Sequence, residues 1–430
     1  MKKLITLIIV SFCTIFAFST DFSTDDELFF TDESFFFEEV VEEDRENSKS
    51  IYDFNIIETE KVDFGGSTSF SLDLQSMWIN PFAKENTNKD YWLKGIKDTL
   101  LVPNISASLF FDARPNENLR IYGKAALAYP FEVKVGDLSI PQLHVKELFT
   151  DYNLGDQAFF RFGKHTVKWG VGYFFSPSDV INIGKINPEK PEEQVEGAIS
   201  LRAMVTFPNT QNCLYLYLIP DESFLAKNTA FSGKYDFLVK NTELGLGFWT
   251  KQNRPSRIVG TLSSTLFGKV PLYGEAVLAY GTEEQWLLKT EKDLVFQGTL
   301  GFSYYFNKAK INLATQYYFN GFGDENPKSL TDESFSSKKS LYNNVGQHYF
   351  ATSIVKSQLF SEKLSLSGFC LISFSDFSGI GTVTLNMNLD KNFKISLGSN
   401  LIFGKENSEF ARKSNALSFN ISAILGGGNF

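Results

Sequence analysis

Residues 294–306 read Leu-Val-Phe-Gln-Gly-Thr-Leu-Gly-Phe-Ser-Tyr-Tyr-Phe. Leu294, Phe296, Gly298, Leu300, Phe302, Tyr304 and Phe306 fall on one side of an extended chain, and Val295, Gln297, Thr299, Gly301, Ser303 and Tyr305 on the other, because successive side chains of a strand point to opposite faces. One face suits lipid and the other suits water. Segments of about ten residues with this alternation recur behind an export signal, which points to a transmembrane β-barrel rather than a soluble sheet around a compact core. The expected task is passage across an outer membrane.

The signal occupies residues 1–19: Lys2 and Lys3 precede an apolar run from Leu4 to Phe18, and Ala17 and Ser19 offer a small-residue cleavage site. Downstream no apolar run reaches about 18 residues, so the mature chain cannot cross a bilayer as a helix, and a closed barrel is the spanning structure left. Cys13 lies in the signal behind Phe12, where a lipoprotein site would need a small residue, so lipidation is not expected. Cys213 and Cys370 sit in apolar strand contexts; two unpaired thiols are expected, with one buried disulfide as the alternative.

The net charge of -9 is not spread over the chain. Residues 21–50 carry twelve acidic side chains against Arg45 and Lys49, a local charge of -10, so that everything after residue 50 is close to neutral. Residues 20–60, with aromatic clusters at Leu28–Phe30 and Phe35–Phe37, read as an acidic, largely disordered periplasmic leader. Its aromatic beads also suit docking on a chaperone or envelope partner. The barrel is assigned to residues 61–430.

Alternation places strands near 66–78, 103–112, 118–130, 143–153, 157–169, 197–207, 213–220, 232–240 and 243–250. The series continues near 256–267, 270–280, 294–306, 309–319, 347–358, 363–374, 379–389, 392–403 and 416–425, which makes an all-β, antiparallel barrel of eighteen strands. With both termini periplasmic, every even-numbered connection must be short, and Arg114 to Glu117, Leu154 to Asp156, Asn241 to Thr242 and Asp390 to Lys391 are among those that fit. The long connections, 79–102, 170–196, 281–293, 320–346 and 404–415, are all odd-numbered. Two odd connections, 251–255 and 375–378, are short, and the segments near 213 and 232 alternate poorly, so sixteen strands stays open. Barrels of about 16 to 18 strands leave an aqueous lumen.

The final amphipathic strand, with Leu417, Phe419, Ile421, Ala423 and Leu425 on one face, ends at Phe430 and resembles the signal read by the outer-membrane insertion machinery. Phe430 has the opposite parity to that apolar set, and a bulge at Gly426–Gly428 would restore the register.

The least generic stretch is residues 161–202, RFGKHTVKWGVGYFFSPSDVINIGKINPEKPEEQVEGAISLR. Its Arg-x-Gly-Lys strand running into Trp169-Gly170, followed by an aromatic, glycine- and proline-containing loop, resembles a group of little-characterised porin-type outer-membrane barrels. The resemblance covers about forty residues; it implies a barrel and leaves the solute open. Read from the residues, Gly163, Gly170 and Gly172 permit close backbone approach, and Pro177, Pro188 and Pro191 stiffen the loop. Trp169, Tyr173, Phe175, Asp179 and Asn182 are the candidate constriction residues of a 170–196 loop folded inward; a loop lying over the rim is the alternative.

The faces also nominate pore-lining side chains: Arg120, Lys124, Arg161, Arg202 and Glu275. A Lys or Arg on the lipid face near mid-bilayer costs roughly 2 to 4 kcal/mol, so these basic groups are placed inward, with Asp112 and Glu275 as the acidic counterparts. A lumen leaning positive gives a mild anion preference; the acidic groups of the loop, Asp179, Glu189, Glu192 and Glu193, work against it. His144, His165 and His348 lack metal-ligand spacing, and there is no nucleophile elbow or phosphate loop, so no enzyme, metal, cofactor or nucleic-acid partner is expected. The leader is too short and too acidic for the plug of an energised transporter. The chain therefore reads as a porin-like channel for passive diffusion of small hydrophilic solutes, integral to the outer membrane in contact with its lipid, with homo-oligomerisation open. A surface barrel with a blocked lumen, structural or adhesive, and a carrier of apolar compounds are the alternatives.

Overall fold

The computed structural model describes residues 61–429 apart from residues 87, 136, 137, 192, 194, 209, 222 and 224. The signal peptide, the acidic leader and Phe430 lie outside the described residues. The first nine strands are β1 (Lys61–Ile79), β2 (Leu100–Asn116), β3 (Leu119–Val135), β4 (Leu138–Leu154), β5 (Ala158–His165), β6 (Ala198–Thr206), β7 (Cys213–Ile219), β8 (Ala230–Val239) and β9 (Thr242–Thr250). They are followed by β10 (Ser256–Leu266), β11 (Val270–Tyr280), β12 (Leu294–Phe306), β13 (Ile311–Asn320), β14 (His348–Lys356), β15 (Leu364–Ser373), β16 (Ser378–Asp390), β17 (Phe393–Phe403) and β18 (Ala416–Asn429). Each strand neighbours the next, and β1 pairs antiparallel with both β2 and β18, which closes the sheet. The count is eighteen. The compact unit that contains the barrel excludes the turn Phe306–Lys310.

Burial along β12 is the reverse of that in a water-soluble sheet. Leu294, Phe296, Leu300 and Phe302 are 40–68% exposed, whereas Gln297, Thr299 and Ser303 are 3–9% exposed. The neighbouring strands agree, with Leu246, Ile258, Leu278 and Tyr317 exposed and Thr261, Glu275 and Gln316 buried. An outward apolar surface around an inward polar one is the arrangement that lipid selects, and closure leaves no unpaired strand edge in a medium that offers no hydrogen bonds.

Departures from simple alternation are located by the register. On β4, Lys124↔Glu147 is followed by Ala125↔Val145, so Lys146 is an extra residue. It switches the lipid-facing set from Leu143 and Val145 to Leu148, Tyr152 and Leu154. Between Ser67↔Asn429 and Ser69↔Gly426, β18 likewise holds one residue more than β1, a bulge at the glycines where Gly426 has φ +117°. β5 ends at His165, four residues before the boundary expected from the sequence, because Val167 is already hydrogen-bonded to the Asn182 side chain instead of a neighbouring strand. Strands β1 to β4 extend further than their alternation suggests.

The expected loops at 79–102, 281–293 and 320–346 hold helices α1 (Lys89–Lys97), α2 (Glu283–Leu288) and α3 (Asp332–Tyr342). Each starts at a side-chain N-cap, Asn88, Thr282 or Thr331. Cys213 and Cys370 are free thiols on β7 and β15.

Gly163 adopts φ +134°, and a Cβ there would overlap the carbonyl oxygen of Leu148 on the adjacent strand. Gly163→Ala should lower the unfolding midpoint of the barrel by the equivalent of about 1–3 kcal/mol, measured by denaturant titration in lipid vesicles. An unchanged midpoint would show that the strand relaxes around the new methyl group.

Candidate functional site

Beyond His165 the chain leaves the sheet, and the segment from Thr166 to Gly197 must find partners for its backbone elsewhere. Asn182 supplies the first: its Oδ1 accepts from Val167 N at 2.9 Å, and its Nδ2 donates to Val167 O at 2.6 Å and to Asp179 Oδ1 at 2.9 Å. Side chains of the barrel wall supply others, beginning with Glu147 on β4, whose Oε1 accepts from Thr166 N at 3.3 Å. The Glu275 carboxylate on β11 accepts from Val171 N at 2.7 Å, Gly172 N at 2.6 Å, Ser176 Oγ at 3.0 Å and Ser178 N at 2.9 Å. Gln316 on β13 accepts from Phe174 N at 2.6 Å and Phe175 N at 3.2 Å through Oε1 and donates from Nε2 to Phe175 O at 2.6 Å. Lys234 on β8 donates to Trp169 O at 3.0 Å.

Apolar contacts run further round the wall. Trp169 meets Tyr217 of β7 edge-on at 5.9 Å, Phe175 stacks on Tyr318 of β13 at 5.0 Å and lies 5.9 Å from Tyr349 of β14, and Phe174 lies 5.7 Å from Phe369 of β15. Val167, Trp169, Val180 and Ile181 form one core with Tyr217, Val259 and Val277. A segment that leaves β5 and touches the inward side chains of β7, β8, β10, β11 and β13 to β15 of a closed cylinder lies inside it.

Below the loop, one register row crosses five strands: Arg120↔Asp151↔Arg161↔Arg202↔Tyr217. Arg120 chelates Asp112 through Nε at 2.9 Å and an NH2 at 2.8 Å, and Arg161 chelates Asp151 through Nε at 2.6 Å and an NH2 at 2.8 Å. Arg161 also lies over the Phe149 ring at 3.9 Å. Arg202 is 8% exposed and makes no ion pair with a carboxylate among the described residues. Lys124 stands in register between Phe110 and Glu147, half-buried.

The residues nominated from sequence thus separate by role. Glu275 faces inward and is 5% exposed under the loop, where its carboxylate holds backbone N–H groups. Trp169, Phe175, Asp179 and Asn182 are 2–6% exposed and anchor the loop internally, whereas Tyr173 is half-buried against Phe174. His165 is fully buried, and Lys164 pairs with Glu196 at 2.8 Å, a contact that holds the Glu196 carboxyl below its usual range. Three participants were missed. Asp151 has the parity of the lipid-facing Leu143 and Val145, which the extra residue Lys146 reverses, and Gln316 and Glu409 are polar residues whose partners are more than fifty positions away in the chain.

Glu409, between β17 and β18, fastens a second loop. Its carboxylate accepts from Val345 N at 2.9 Å, Gly346 N at 3.1 Å and the Tyr349 hydroxyl at 2.6 Å. Burial raises its pKa, and the Tyr349 hydroxyl pulls against that rise. No cluster of three or more His, Cys, Asp or Glu suited to a metal occurs among the described residues.

No protein-family model matches the chain, and no curated protein matches it. Among solved structures it is similar to Pseudomonas aeruginosa OccK1 (OpdK), with 8% identity over 86% of this chain and 99% of that one and a TM-score of 0.49. OccK3 (OpdO) of the same organism gives 8% identity, 85% and 95% coverage and a TM-score of 0.49. A Rhodopseudomonas blastica porin triple mutant gives 10% identity, 85% and 100% coverage and a TM-score of 0.42.

Glu275→Ala leaves the loop donors without their acceptor, at a cost on the order of 3 kcal/mol or more. The variant should remain a folded barrel and become sensitive to trypsin at Lys168 and Lys185, the two basic residues that flank the clasped stretch. Equal resistance of variant and parent would remove Glu275 as the clasp.

Proposed function

We propose that this chain is an outer-membrane channel for passive diffusion of small hydrophilic solutes, narrowed by the loop between β5 and β6. The observation that carries the reading is the polar inner face of a closed eighteen-stranded barrel with a loop whose contacts among the described residues run from β7 to β15, apart from one bond to β4 where it leaves the sheet. Barrels of this size have a lumen wider than their side chains can fill, so a loop held to one side constricts the path. Solute then passes between the loop and the opposite wall, where Arg120 and Arg161 border the path. The buried anchors Trp169, Phe175, Asp179, Asn182 and Glu275 act on that path by fixing the position of the loop.

Selectivity follows from charge bookkeeping in the arginine row. Asp112 and Asp151 offset Arg120 and Arg161 and Glu147 stands opposite Lys124 in register, leaving Arg202, and to a lesser degree Lys124, to give the interior a slight positive field and a mild preference for anions. Export by the cleaved signal peptide and recognition of the last strand by the insertion machinery complete the reading.

Refolded mature protein in a planar bilayer should give stable ohmic current steps, with a small reversal potential of anion-selective sign under a salt gradient. Insertion without steps would contradict the channel reading and favour a blocked surface barrel. Arg202→Glu combined with Lys124→Glu should move the reversal potential toward cations. An unmoved potential would take both residues out of the field felt by permeating ions.

A further inference from the structure

Helix α1 lies on the outside of the barrel. Phe70, Leu72 and Leu74 of β1 are exposed and lipid-facing, and by the two-residue period Trp78 continues the same face, yet Trp78 is only 6% exposed. What covers it is α1. Trp78 Nε1 donates to Trp92 O at 3.1 Å, the two indoles lie 5.6 Å apart, and the absent side chain of Gly95 makes room for the Trp78 ring. Tyr91 donates its hydroxyl to Ile79 O at 2.6 Å, and Ser76 and Thr99 share a hydrogen bond of 2.7 Å across the same face. Trp78 also meets Phe419, an exposed lipid-facing residue of β18, at 5.7 Å. The helix therefore lies flat against the lipid-facing wall at the long-loop end of the barrel.

Its outer surface is amphipathic in the sense suited to a membrane boundary. Trp92, Leu93 and Ile96 are 36–58% exposed and continuous with the apolar wall of Leu101, Ile105 and Leu109 on β2, also exposed. Lys89, Lys94 and Lys97 are exposed beside them, with Asp90 and Asp98 at the two ends of the helix. A short helix with aromatic and aliphatic residues on one side and lysines beside them sits at the level where acyl chains meet headgroups.

We propose that α1 is a docking surface for an acidic glycolipid of the outer leaflet: Leu93 and Ile96 lie against its acyl chains, and Lys89, Lys94 and Lys97 reach its phosphates. The choice of lipid over a second copy of the chain rests on the continuity of α1 with the lipid-facing wall and on the lysines beside its apolar face. The proposal depends on the outer-membrane reading given above but not on conduction.

The test uses the mature protein refolded in detergent, with a bisphosphorylated, acylated glucosamine disaccharide as probe and retained lipid counted by native mass spectrometry. The parent should retain the glycolipid in preference to a zwitterionic phospholipid. Lys94→Gln with Lys97→Gln should weaken retention on the order of tenfold while keeping the heat-modifiable gel mobility of a folded barrel. Leu93→Asn with Ile96→Asn should also lower retention and leave the oligomeric state unchanged. Unaltered retention in both double variants, or loss of an oligomer in the second, would overturn the proposal. A parent that retains lipid but gives no current steps would support this proposal and sink the channel reading alone.

Discussion

Hydrogen-bond satisfaction is the constraint on which the rest of this structure depends. In lipid a strand has no water to turn to, so every edge must be paired, and β1 meets this requirement by closing against both β2 and β18. Closure then fixes which side chains face outward. The apolar set of β12 goes to lipid and Gln297, Thr299 and Ser303 go inward, and the fold acquires a polar interior because of what its exterior must tolerate. The same demand governs the loop after β5. Once the chain leaves the sheet, its buried N–H groups need acceptors, and Glu275, Gln316 and Asn182 supply them at 2.6–3.2 Å.

Charge inside the barrel obeys a related rule. A buried guanidinium is tolerated when a carboxylate holds it in two-point geometry, and Arg120 and Arg161 are held in that way by Asp112 and Asp151. These pairs give the inner wall order more than they give it field. Arg202 departs from the pattern, since its neighbours in register are Arg161 and Tyr217.

All eighteen strands could be read from the chain because alternation is a local signal, set residue by residue by the two-residue period of the backbone. Even the poorly alternating segments near 213 and 232 proved to be strands β7 and β8. Legibility failed where one inserted residue changed the parity, as at Lys146, which leaves the inward Asp151 with the parity of the lipid-facing Leu143 and Val145. The loop residues could be nominated by type but not by role. Trp169, Phe175, Asp179 and Asn182 looked like groups facing a pore, and their burial follows from contacts with strands far away in sequence, which no local pattern encodes. The partners that hold them, Gln316 above all, carry no signature beyond being polar on an inward face.

The position of the loop depends on the hydrogen bonds between its backbone, from Val171 to Ser178, and the barrel wall. Site-resolved hydrogen exchange on the folded protein in detergent or nanodiscs measures this directly. The amides of Val171, Gly172, Phe174 and Ser178, bonded to Glu275 and Gln316, should exchange as slowly as those of β11. Exchange at the rates of an exposed loop would contradict the clasp, and with it the constriction assigned to this segment.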